Sequence, residues 1–195
     1  TRYWRDWSSD VCSSDLIAGL TGLSEADAQA GLERAVASGR ACEADGRFLL
    51  TPLARVILES EYSLHYADAR EDAAFLEAYE AFEAVNVPLK AIITEWQTME
   101  VGGQRVANDH SDREHDHKVI DRLGDCHERA DAIFACLEKG VPRLGHYRRR
   151  LLEALEKAED GAIEWVSDAR IESYHTLWFE LHEELLRIVG RTRQE

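Results

Sequence analysis

Arg170 to Leu186 reads RIESYHTLWFELHEELL, and its spacing decides how the rest of the chain must pack. Ile171, Tyr174, Trp178, Leu181, Leu185 and Ile188 recur at alternating three- and four-residue intervals, which puts them on one stripe of a helix. Phe179 and Leu186 fall outside that stripe. A helix that is apolar on more than one side needs neighbours on more than one side, so the pattern predicts a helix near the centre of a bundle or at a subunit interface. His175 and His182 are two turns apart and share the flank of the stripe.

Working outward, Phe75, Tyr79, Phe82, Asn86, Leu89, Ile93 and Trp96 repeat the same alternation over more than five turns. Pro88 lies inside the run and cannot donate a backbone hydrogen bond, yet the apolar phase resumes unchanged. One kinked helix is expected rather than two, with Gly102-Gly103 ending it and Asn86 either satisfying the freed carbonyls or lining a pocket. Ile120, Leu123, His127, Ala130, Phe134 and Leu137 mark a further helix, stopped by Gly140-Val-Pro142. Leu144, Tyr147, Leu151, Ala154 and Ala158 mark another, ending at Asp160-Gly161. Together with the Arg170 stretch these are four main helices joined by short loops, for which an antiparallel bundle is the economical arrangement.

The bundle also holds the residues with metal-ligand chemistry. Asp109, His110 and Asp112 lie in the polar stretch that precedes the His127 stripe, with His115, Asp116 and His117 close behind, and His127, His175 and His182 lie on or beside apolar stripes. Imidazole and carboxylate together suit zinc, nickel, iron or manganese. No His-Glu-x-x-His pair is present, and Asp- and His-rich segments also cap helix amides, so a hydrogen-bonded structural cluster is the competing reading. In either case a buried imidazole needs a partner. At least two of His127, His175 and His182 are therefore expected to approach each other or the Asp109 to Asp112 loop. Arg148-Arg149-Arg150 is expected to face solvent, paired with Glu153 and Glu156. The chain carries no local signature of an activated nucleophile, no phosphate-cradling glycine loop and no cofactor fingerprint.

Residues 17 to 66 read differently. Ile17-Ala-Gly-Leu20 ends a helix, Thr21-Gly22-Leu23 turns, and Ser24 caps a second helix whose inner face is Ala28, Leu32, Ala35 and Val36. Two extended runs follow, Arg40 to Glu43 and Arg47 to Leu50, joined through Ala44-Asp45-Gly46. Thr51-Pro52 then starts a helix that continues to about Tyr66. With Thr21 to Ser24 as the turn and Gly46-Arg-Phe-Leu-Leu-Thr-Pro52 as wing and exit helix, this order resembles the winged helix-turn-helix of MarR-like regulators. The resemblance implies a recognition helix in the major groove, with Gln29 and Arg34 facing DNA from that helix and Arg47 from the wing. The helix departs from that pattern in carrying Glu25, Asp27 and Glu33, three carboxylates on a surface that would approach phosphates.

Residues 1 to 16, TRYWRDWSSDVCSSDL, have no periodicity and resemble the translation of a sequencing-library adapter. They are expected to contribute nothing to fold or function. The sequence thus predicts a mainly α chain in three segments: 1–16 artefactual, 17–66 a truncated winged helix-turn-helix, and 67–195 an antiparallel helical bundle. Thr94-Glu95-Trp96, Asn108 to Asp112 and Ser173 to Glu183 also resemble a helical module, found beside winged helices in actinobacterial proteins, some linked to phosphoenolpyruvate-utilising dikinase-like enzymes. That resemblance covers roughly residues 90 to 190 and brings no dikinase motif with it.

A formal charge of -15 opposes any general affinity for nucleic acid or anionic lipid. No run reaches membrane-spanning length, and Cys12, Cys42, Cys126 and Cys136 form no close pair, so a reduced, cytoplasmic protein is expected. Two functions follow from the resemblances. One is a DNA-binding transcriptional regulator that dimerises or senses a ligand through its bundle. The other is a non-DNA-binding regulatory or docking module that serves a phosphoenolpyruvate-utilising catalytic partner.

Overall fold

The structure, a computed structural model, describes residues 11–191. It is mainly helical, with two small antiparallel sheets, and divides into two compact units, Thr1–Ala67 and Asp68–Glu195.

In the first unit, strand β1 (Val11–Cys12) leads into α1 (Ser14–Thr21), and α2 (Glu25–Ala37) follows after the turn at Gly22. Ser24 caps α2 by accepting from the Asp27 amide at 3.1 Å, while its hydroxyl donates to the Asp27 carboxylate at 2.6 Å. Strands β2 (Ala41–Ala44) and β3 (Arg47–Leu50) form a hairpin whose two turn residues, Asp45 and Gly46, both have positive φ, as a tight primed turn requires. Helix α3 (Pro52–His65) starts on Thr51, whose hydroxyl accepts from the Ala54 amide. The sheet runs in the order β1-β3-β2, with Val11 opposite Leu49 and Cys12 opposite Phe48. Two residues of the adapter-like segment therefore join the sheet and three more start α1, which differs from the expectation that residues 1 to 16 take no part. Valine and cysteine suit a pleated edge, and β3 offers them an open one. Residues 1 to 10 of that segment lie outside the described residues. Ala28, Leu32, Ala41, Phe48, Ala54 and Tyr66 form the small core, with Ala35 and Val36 only half-buried.

The second unit begins within a short helix, α4 (Ala67–Glu71). Asp72 caps α5 (Ala73–Gln97), a single helix of 25 residues that runs through Pro88, and all seven residues of its stripe are buried. Gly102-Gly103 does not end this helix. It makes the turn of a hairpin, β4 (Thr98–Val101) and β5 (Gln104–Ala107), because both glycines take positive φ between two extended runs. Asp112 caps α6 (Arg113–Gly140), and a 3-10 turn at Pro142–Leu144 leads to α7 (Gly145–Glu159). A short α8 (Glu164–Ser167) precedes α9 (Tyr174–Val189). The last helix begins at Tyr174 rather than Arg170, because the Ser173 hydroxyl takes the Thr176 amide and closes the first turn there. Tyr174, Leu177, Trp178, Leu181, Leu185, Leu186 and Ile188 are buried, so α9 is apolar on more than one side. It packs against α7, α8 and α5.

Candidate functional site

On the first unit, Gln29, Arg34 and Arg47 belong to the helix after the turn and to the strand after the hairpin tip. Arg34 and Arg47 are exposed, and neither forms an ion pair among the described residues, whereas Arg40 is paired with Glu61 at 3.3 Å. Gln29 is half-buried and donates to Glu33 at 3.0 Å along the same helix. Glu25, Asp27 and Glu33 are also exposed, so α2 offers carboxylates and one guanidinium to whatever meets it.

In the second unit the candidates separate into several places. Asp112 spends its carboxylate on the Glu114 and His115 amides, both at 3.1 Å, which is the work of a helix cap. Asp109 is exposed and accepts from the Ser111 amide at 3.0 Å, and the hydrogen bonds from Ser111 hold its carboxyl below the ordinary value. His110 turns inward at a left-handed φ of 59°. Its Nδ1 lies 3.0 and 3.2 Å from the two oxygens of buried Asp116, and a carboxylate can only accept, so that nitrogen carries the proton. Asn108 donates to the same carboxylate and to the Trp96 carbonyl, and the His110 ring packs on the Trp96 indole. The result is a knot that ties the β5 to α6 loop to the end of α5.

His127 and His182 enter the core by different routes. His127 Nδ1 lies 3.2 Å from the Tyr174 hydroxyl, and burial depresses its basicity, so the ring is neutral near pH 7. His182 Nε2 donates to Glu83 at 2.8 Å, and Tyr79 donates to the same oxygen at 2.8 Å. Burial alone would raise the Glu83 carboxyl. The hydrogen bonds from Tyr79 and His182 outweigh it and hold the group below its ordinary value. Tyr79 is pushed up to about 12, by burial first and then by its bond to Glu83.

Between the two histidines runs a continuous line of rings. Tyr174 stacks on Trp178, Trp178 stacks on Phe82 at 4.8 Å, and Phe82 meets His182, with Phe134 bridging His127 and Trp178. Trp178 Nε1 donates to Asn86 Oδ1 at 3.1 Å, so the amide serves a neighbouring indole. His175 is half-buried in the first turn of α9. His127 and His182 thus have different hydrogen-bond partners, Tyr174 for His127 and Glu83 for His182. Among the described residues no group of three or more His, Cys, Asp or Glu side chains could hold a metal ion.

No family model, curated protein or solved structure matches the chain. Among the described residues no helix is long and apolar enough to cross a membrane.

The three-arginine run faces solvent as expected at Arg149, which is exposed, and departs from expectation at Arg148 and Arg150. Arg148 reaches across to Asp131 at 2.7 Å and to Glu138, and Arg150 is mostly buried against Glu172 and His146. Partners on other segments win over Glu153 and Glu156 because α7 is packed closely enough for long side chains to bridge. Buried Asp116 and half-buried Glu83 and Asn108 are polar partners that periodicity did not single out. Tyr79 and Glu83, four residues apart, were the available sign, since that spacing brings a hydroxyl to a carboxylate on one helix face.

Proposed function

We propose that the first unit is a winged helix-turn-helix that binds duplex DNA, and that the chain is a transcriptional regulator whose helical unit serves dimerisation or ligand sensing. One observation carries this reading. A helix-turn-helix, α1 and α2, is inserted between strands β1 and β2 of a three-stranded antiparallel sheet ordered β1-β3-β2, with the β2–β3 hairpin as the wing. In that arrangement α2 enters the major groove and Arg47, at the base of the hairpin tip, approaches the backbone. Arg34 and Arg47 support it as exposed guanidiniums with no intramolecular ion pair among the described residues.

The test is selection of duplexes from a random pool by the purified full chain, followed by gel shift of the enriched sequence. Enrichment of one motif, lost in the Arg34→Ala, Arg47→Ala double variant, is the expected result. An unenriched pool would remove the DNA reading. A second reading is favoured by the exposed carboxylates of α2: a regulatory or docking module that meets a basic protein surface, such as a catalytic partner domain, and not phosphates.

A further inference from the structure

Where α7 faces α9, one carboxylate lacks the partner that stands beside it. Glu180 Oε2 is enclosed and makes no hydrogen bond. Arg150 is near enough to act on its charge, yet the guanidinium is engaged elsewhere: Nη2 pairs with Glu172, just ahead of the Ser173 cap, and Nη1 lies 3.0 Å from His146 Nε2. Burial, with the charges of Arg150 and Arg149, keeps His146 neutral and able to accept. Glu184, one turn further along α9, is held by Arg143 and by the Tyr147 hydroxyl at 3.2 Å. Glu153 completes the charged groups around Arg150 from α7. Of the other elements packed on α9, α5 presents Glu83 and Tyr79 to His182, about 200° around the helix from Glu180, and α8 carries Glu164, which is exposed.

We propose that Glu180, Arg150 and Glu172 form a proton-operated latch that fastens the loop leading into α9. While Glu180 is protonated it needs no cation, and Arg150 remains on Glu172, tying residues 168–173 to α7. When Glu180 gives up its proton to solvent, a half-buried anion with one enclosed oxygen is left beside Glu184, and Arg150 is the cation within reach. The guanidinium then exchanges Glu172 for Glu180, and the loop is released. The exchange is set by desolvation, because Glu172 is half exposed and finds water in place of Arg150, whereas Glu180 is half-buried with Oε2 enclosed. Burial raises the Glu180 carboxyl; Arg150 opposes that rise and Glu184 adds to it, so the exchange falls above the ordinary glutamate range. This device stands independently of DNA binding by the first unit.

The test is an NMR pH titration of the full chain, following the Glu180 carboxyl carbon, the Arg150 Nε–Hε resonance and the amides of residues 168–173. One shared midpoint above the free-glutamate value is expected in all three, and Glu180→Gln should abolish the Arg150 and loop transitions. Loop and Arg150 transitions that persist in Glu180→Gln, or no shared midpoint in the wild type, would overturn the latch. Glu172→Ala provides the second reading if Glu180→Gln fails to fold. Glu180 should still titrate in it while the loop amides lose their transition; loop amides that titrate as in the wild type would contradict the proposal.

Discussion

His182 donates a hydrogen bond from Nε2 to Glu83, and that bond is one of those, with Tyr79 and Asn86, that hold a half-buried carboxyl below its ordinary value. Removing it in His182→Leu should lower stability by roughly 1 kcal/mol at neutral pH, because Glu83 keeps its burial and loses a donor. The sign with pH follows from the depressed Glu83 value. The contribution is present above the unfolded carboxyl range and fades as pH falls through the folded value, so wild-type and variant melting curves should converge in acid. A variant as stable as the wild type at pH 7 would mean that the bond contributes nothing. At this scale the sequence was only partly legible. The burial of His127, His182 and Asn86 could be read from their stripes, since periodicity reports which face is covered. Their partners could not, because Tyr174, Glu83 and Trp178 come from segments 47, 99 and 92 residues away.

At the scale of elements, α5 and α6 meet closely where α6 ends. A methyl group on Gly140 would stand 2.6 Å from Cδ2 of Phe75, a ring that is itself buried and has no room to give. Gly140→Ala should therefore destabilise by about 1–3 kcal/mol despite the higher helix propensity of alanine, and a raised melting temperature would contradict the packing described. Asp112→Ala tests the cap of α6. Loss of the oxygen that accepts from the Glu114 and His115 amides should cost about 1 kcal/mol, with or without added zinc, whereas a zinc-dependent melting shift that vanishes in the variant would return Asp112 to a ligand role. Four long helices were legible from apolar spacing alone. The β4–β5 hairpin was not, because Gly102-Gly103 serves equally as a helix stop and as a primed turn, and the choice rests on pairing of Thr98–Val101 with Gln104–Ala107. The start of α9 was missed for a related reason: Ile171 keeps the helical phase, and only the Ser173 hydroxyl bond sets the boundary.

For the whole molecule, net charge opposes the DNA binding proposed for the first unit. A chain of formal charge -15 gains nothing from phosphate unless its cations are concentrated at one surface, and Arg34 and Arg47 are the two that the proposed winged helix would use. The order of helices and strands in residues 17 to 66 was legible because each element has its own cap or turn residue, while the pairing of Val11–Cys12 with β3 was hidden in a segment without periodicity. The most direct measurement is duplex affinity by fluorescence anisotropy between 50 and 200 mM salt, using a duplex enriched by the full chain. Two phosphate contacts by a single bound chain predict a weakening of roughly ten-fold across that range, and four contacts by a dimer roughly a hundred-fold; the Arg34→Ala, Arg47→Ala variant should bind weakly with little remaining salt dependence. Affinity that is the same in the variant, or that does not change with salt, would contradict the regulator reading.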